Sequence, residues 1–226
     1  DCSWSRGLGD VYKRQHRYGL HVGEAKDPEE RELRIEQTLA HPRLEMRRVL
    51  KASQESQKPF FFVYGTYNVH RPFVVDSGRD LWGLEPDRLA GLLPKSLPDV
   101  PEIRRDFSDY LGEVLAADAM LGVMLQELEA AGKLDQTLII LTGDNGIPGV
   151  PRGKTNCYDL SIHAPLICRL PGTVPAGRIV EDFVNLMDLG PTLLELTDAP
   201  PLTGAEGRSF MNPRLSLIHI SEPTRP

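Results

Sequence analysis

Apolar residues recur at steps of three and four between Asp99 and Gly132. Ile103, Phe107, Tyr110, Val114, Ala117, Leu121, Met124 and Leu128 fall on one stripe, which predicts a long core helix packed on a sheet. Asp99 with Glu102 has capping-box spacing, and Gly132 suits the terminator. Upstream, Glu29 to Gln57 is charged, with Leu33, Ile35, Leu39, Leu44, Val49 and Leu50 at helical spacing. It predicts one or two surface helices broken near Pro42. Phe60-Phe61-Phe62-Val63-Tyr64 and the run from Thr137 to Leu141 are continuous apolar stretches, the pattern of strands covered on both faces. Leu166 to Arg169 predicts another strand, Pro171-Gly172-Thr173 a turn, and Val184 to Thr197 a short helix. Val74 to Pro101, with scattered Pro, Gly and Asp, predicts a long irregular excursion of the kind that covers a site. Helix, buried strand, loop and strand in succession indicate an α/β fold, a largely parallel sheet sandwiched by helices.

The two ends change the expected boundaries. Ser5 to Gln15 and Leu215 to Arg225 can be encoded by one DNA string and its reverse complement, residue for residue. Such a string resembles a transposase-type sequencing adapter, so residues 1–15 and 215–226 are expected to be foreign and residues 16–214 native. Cys2-Ser3-Trp4-Ser5-Arg6 superficially resembles a Cys-x-Pro-x-Arg nucleophile motif. Trp4 stands at the proline position and Ser5-Arg6 fall in the adapter, so that match is rejected.

Charge and composition narrow the partners. The net charge of −6 and the dispersed Lys and Arg give no basic footprint for nucleic acid. No apolar run approaches membrane-spanning length. Cys157 and Cys168 could pair, although two thiols this close are more often ordinary core or loop residues.

Candidate chemistry collects after the apolar run ending at Leu141. Asp144-Asn145-Gly146 follows it, and Gly153-Lys154-Thr155 comes shortly after. Ligands of open α/β sheets sit at the carboxyl ends of strands. A carboxylate and an amide oxygen there suit a hard divalent cation such as calcium. Asp-Asn-Gly is also a common turn. The Lys154 ammonium suits an anionic substrate and the charge developing on its leaving oxygen, although a loop lysine is more often merely solvated. His70, in Asn68-Val69-His70-Arg71-Pro72, ends the Phe60 run and could act as a general acid at the same edge. Arg71 could bind an anion or could be structural. His21 is weak by itself, and His41 and His163 suit packing or surface roles.

Lys58-Pro59-Phe60-Phe61-Phe62 through His70-Arg71-Pro72 resembles the Pro-Phe-Phe…His-x-Pro segment of formylglycine-dependent sulfatases of the alkaline-phosphatase-like superfamily. Leu134 through Pro165 resembles their second metal-and-lysine segment. Asp144-Asn145-Gly146-Ile147-Pro148 with Lys154-Thr155-Asn156 is similar to the heparan N-sulfatase branch. His21-Val22-Gly23 resembles a third family segment.

The resemblance implies an alkaline-phosphatase-like fold, truncated at its amino end, and hydrolysis of sulfate esters or sulfamates on a sugar or glycosaminoglycan. It implies that Asp144 and Asn145 are calcium ligands and that Lys154 contacts sulfate. His70 would protonate the leaving group, and His21 would assist sulfate release. Gly19 stands where the family has lysine, and His163 where many relatives carry arginine. The cysteine that becomes formylglycine, its partner arginine and an aspartate pair are expected upstream of His16, so residues 16–214 are expected to be a partial catalytic domain, inactive alone. A phosphodiesterase or phosphonate hydrolase of the same superfamily, and a non-catalytic calcium- or glycan-binding relative, are the alternatives.

Overall fold

The structure is a computed structural model and describes residues 27–211. It divides into two units, one ending at Pro171 and one beginning at Gly172.

In the first unit, helix α1 spans Pro28–Ser56 without interruption. Asp27 caps it by accepting a hydrogen bond from the Glu30 amide at 2.8 Å, and Pro28 supplies a preset φ at the first helical position. The expected break at Pro42 is absent. Pro42 and Met46 are buried, and α1 packs along α3, spanning Pro101–Ala130. Tertiary packing on both flanks of the proline thus outweighs its local cost, about 3 kcal/mol in a helix interior. Met46, Met124 and Leu128 form the core between them, with Phe60, Phe62, Tyr64, Leu121 and Ile139 packed around. Full burial of a side chain such as Met46 contributes roughly 1.5–3 kcal/mol.

Helix α3 matches its expected extent but not its expected faces. Its start is Pro101, with Val100 at the cap position and no side-chain cap. Asp99 instead accepts hydrogen bonds from the Gly91 amide and the Arg104 guanidinium. Gly132 closes the helix at φ +65°, as expected. The apolar stripe is buried only toward the carboxyl half, at Met124 and Leu128, and Val114 is exposed. In the amino half the buried residues are Ser108, Asp109, Gly112, Glu113 and Ala116. They face α2 (Ser77–Trp82), a short helix inside the segment expected to be irregular.

The sheet differs from expectation. Strands β1 (Ile139–Thr142) and β2 (Leu166–Arg169) pair antiparallel, Ile139 opposite Arg169 and Thr142 opposite Leu166, and no parallel ladder occurs among the described residues. Phe60–Tyr64 makes no ladder among them either. Its side chains alternate: Phe60, Phe62 and Tyr64 pack on the core, whereas Phe61 and Val63 are exposed. A continuous apolar run carries no facing information, which is why buried-on-both-faces was the wrong expectation for this stretch in this chain.

The second unit contains α5 (Leu189–Leu196), preceded by a 3-10 turn at Leu186–Asp188. Asn185 and Asp188 form a reciprocal capping box. Buried Thr192 donates to the Asp188 carbonyl and accepts from the Phe210 amide, tying the following loop to the helix.

Candidate active site

Two segments of the first unit carry the candidate residues. The first is the loop between β1 and α4 (Asp159–Ile162). The Gly146 amide donates to the Ser161 carbonyl at 2.8 Å, and a Cβ on Gly146 would lie 1.7 Å from the Leu160 carbonyl oxygen. Only glycine lets the chain pass so close to α4. Buried Ile147 then accepts, at its carbonyl, the amide of Lys154 at 3.0 Å. That bond closes the loop between Ile147 and Lys154. The Gly153 amide closes on Val150, and Asn156 Nδ2 donates to the Gly153 carbonyl at 3.1 Å. Arg152 lies over the Tyr158 ring at 5.1 Å. Asp144 is exposed, while Asn145 and Lys154 are half-buried. Neither Asp144 nor Lys154 forms an ion pair among the described residues.

The second segment is the turn around His70. The His70 amide donates to the Tyr67 carbonyl at 2.9 Å, and the two rings stack with centroids 5.0 Å apart. His70 Nδ1 lies 2.7 Å from the carbonyl oxygen of Arg71. A carbonyl can only accept, so Nδ1 is the donor and Nε2 is left for another partner. The imidazole is exposed.

Helix α3 holds this turn through acids that sequence reasoning passed over. Asn68 Nδ2 donates to Glu113 Oε2 at 2.8 Å. Arg71 Nη1 donates to Asp106 Oδ1 at 2.7 Å, and Nη2 to Asp106 Oδ2. Asp109 accepts the amides of Asp76 and Gly78 at 3.0 and 3.1 Å. Asp76, itself left-handed at φ 62°, is paired with Arg105. Burial pushes the Asp109 and Glu113 carboxyls above their ordinary values, and the Arg105 hydrogen bond holds Asp76 below its own. Asp106, Asp109 and Glu113 recur at steps of three and four. Acids at helical spacing on one face were thus visible in the sequence, but the apolar stripe beside them drew the assignment.

Arg71 also reaches the first segment. Its Nε donates to the Pro148 carbonyl at 3.0 Å, and its guanidinium lies 4.5 Å from the Phe73 ring centroid. The structure therefore brings the His70 turn and the Asp144–Lys154 loop together. No hydrogen bond joins the side chains of His70, Asp144, Asn145 and Lys154 directly, among the described residues. His21 lies outside the described residues. Cys157 and Cys168 are free thiols, and His163 is exposed at the end of α4.

The sulfatase family model matches residues 26–199. The chain belongs to the sulfatase family. Human N-sulphoglucosamine sulphohydrolase is 39% identical over 115 residues, covering 50% of this chain and 23% of that relative. The ulvan-active sulfatase of Formosa agariphila is 31% identical over 133 residues, covering 57% and 22%. The chain thus spans about a quarter of the length of these curated relatives. Among solved structures, the phosphonate monoester hydrolase SpPMH of Silicibacter pomeroyi aligns with a TM-score of 0.45 and 28% identity, over 69% of this chain and 31% of that one.

Within the sulfatase family frame, Asp144 and Asn145 fit a hard cation in kind: one carboxylate and one amide oxygen, neither engaged by a neighbouring cation among the described residues. They do not complete a shell. No group of three or more His, Cys, Asp or Glu side chains gathers at metal-binding distance among the described residues. Calcium takes six to eight oxygen ligands, so these two would furnish a part.

Proposed function

We propose that residues 16–214 are part of the catalytic domain of a hydrolase that cleaves sulfate esters or sulfamates on a sugar or glycosaminoglycan, and that residues 1–15 and 215–226 are adapter-derived. The carrying observation is the Arg71–Pro148 hydrogen bond, which supports a shared site for the His70 turn and the Asp144–Lys154 loop. Asp144 and Asn145 would hold calcium, which supplies positive charge beside the sulfate. Lys154 approaches the sulfate and the leaving oxygen, where its ammonium offsets developing charge. His70, with Nδ1 anchored on the Arg71 carbonyl, presents Nε2–H to the leaving oxygen or nitrogen. His21 assists release of sulfate. The relative named as an N-sulphoglucosamine sulphohydrolase favours an N-sulfated amino sugar over other substrates.

By itself the 226-residue chain is proposed to be inactive, because none of its residues is assigned as the nucleophile. Two measurements test these roles. Glucosamine N-sulfate with calcium should perturb the NMR signals of Lys154 and His70, and glucosamine should not. Equal perturbation by both sugars would remove sulfate recognition. Turnover of an aryl sulfate by the purified chain would refute inactivity.

A further inference from the structure

We propose that Arg71 is a positioning residue of this site: its guanidinium forks onto Asp106 of α3 and onto the Pro148 carbonyl, fixing the His70 turn against the Asp144–Lys154 loop. The inference rests on the sulfatase-site assignment, and goes beyond it by giving Arg71 a mechanical task in place of anion binding.

Three observations carry it. First, three of the five guanidinium protons are already committed: two to the Asp106 carboxylate and one to Pro148. An arginine so engaged offers a substrate anion little, while its planar fork sets direction as well as distance. Second, Gly149 is shaped to receive it. Gly149 has φ +73°, and a Cβ there would lie 2.3 Å from Arg71 Nε. The loop has no side chain at the one place where the guanidinium crosses it. Third, Asp106 is not an isolated anchor. Glu113, two helical turns along α3, grips Asn68 at the other end of the same turn. His70 therefore sits between two tethers to one helix, and Arg71 continues from that helix to the loop bearing Asp144. The adjacent Arg71 carbonyl also orients the imidazole through Nδ1, so displacement of Arg71 moves the ring as well.

The test uses the isotopically labelled 226-residue chain with Arg71→Gln and Asp106→Asn, which break the bridge from opposite ends. Arg104→Gln is the comparator: its partners are Asp99 and Asp87, and it touches neither segment. The probe is hydrogen exchange at the Lys154 amide, which is bonded to the Ile147 carbonyl. Both bridge variants should lose about tenfold or more protection there, the effect of losing a hydrogen bond to a charged group. Amides in the middle of α3 should keep theirs, and Arg104→Gln should change neither. Unchanged protection at Lys154, or an equal loss throughout α3, would overturn the proposal.

A second arm adds Mn²⁺, which shares calcium's preference for oxygen donors. In the wild-type chain it should broaden the signals of Gly146 and His70; in Arg71→Gln the broadening at Gly146 should persist and that at His70 should be lost. Persistence at His70 would overturn the positioning role. Absence of broadening at Gly146 in the wild-type chain would remove the metal assignment of Asp144, while the exchange experiment would still decide the bridge.

Discussion

Gly78 and Gly112 meet backbone to backbone: a Cβ on Gly112 would lie 2.7 Å from the Cα of Gly78. Helices α2 and α3 cross at that contact, and Ser108, one turn earlier on α3, donates to the Leu84 carbonyl just beyond α2. Neither backbone can move away without disturbing the Asp109 bonds to Asp76 and Gly78. Gly112→Ala should therefore destabilise the chain by roughly 1–3 kcal/mol, the usual cost of overpacking. Gly122 lies in the same helix, and a Cβ there would meet nothing within 4 Å, so Gly122→Ala should stabilise by about 0.5–1 kcal/mol. Urea denaturation followed by circular dichroism compares the two; equal shifts would show that the crossing is not tight.

The acids beneath the His70 turn should give opposite pH responses. Glu113 is raised by burial above its ordinary 4.5, so the folded chain binds its proton more tightly than the unfolded chain. Its contribution to stability is present at low pH and is lost as pH rises from about 4.5 through the folded value. Asp76 is lowered from 3.8, so its contribution is present above that pH and is lost as pH falls through the folded value. Glu113→Gln should gain stability relative to the parent chain as pH rises through the first window. Asp76→Asn should lose its deficit as pH falls through the second. Denaturation midpoints measured from about pH 3 to pH 8 distinguish these signs.

The metal assignment predicts a dependence on one carboxylate. Asp144→Ala should weaken Mn²⁺ binding by about tenfold or more, since even outer partners of metal ligands typically matter that much. Asp159→Ala, at the start of α4, should leave it unchanged. Relaxation titration reads both, and an equal effect would mean that the ion binds the loop through diffuse charge.

Exposed apolar side chains should limit solubility. Phe61 and Ile167 are 59% and 58% exposed, and Leu141, the cross-strand partner of Ile167, is exposed as well. Ile167→Lys should reduce light scattering on concentration with a stability change within about 0.5 kcal/mol, as expected for a surface position. Unchanged scattering would place the sticky surface elsewhere.

Much of the fold was legible because helical periodicity survives noise over long segments. Helix α3, its Gly132 stop and the strands around the Asp144 loop fall where the sequence pattern puts them. Three features were not legible, for physical reasons. Pro42 reads as a break because its cost is local, whereas the packing that overrides it on α3 is tertiary. The direction of strand pairing depends on contacts that no short window contains, and among the described residues the pair is antiparallel where a largely parallel sheet was expected. The faces of α3 were misjudged because Asp109 and Glu113 are buried by their hydrogen bonds and not by their polarity. At the candidate site, Asp144, Asn145, Lys154 and His70 stood out by residue type and by place after an apolar run. Arg71 was ambiguous until its three partners were seen.

Asp106, Asp109 and Glu113 belong to one unbroken helix, so everything they grip shares a single rudder. A slight tilt of α3 would swing the imidazole and its neighbours as a block. Changes buried near Met124 or Leu128, at the far end of the same helix, are then a route to shifting the His70 turn without altering any residue of that turn.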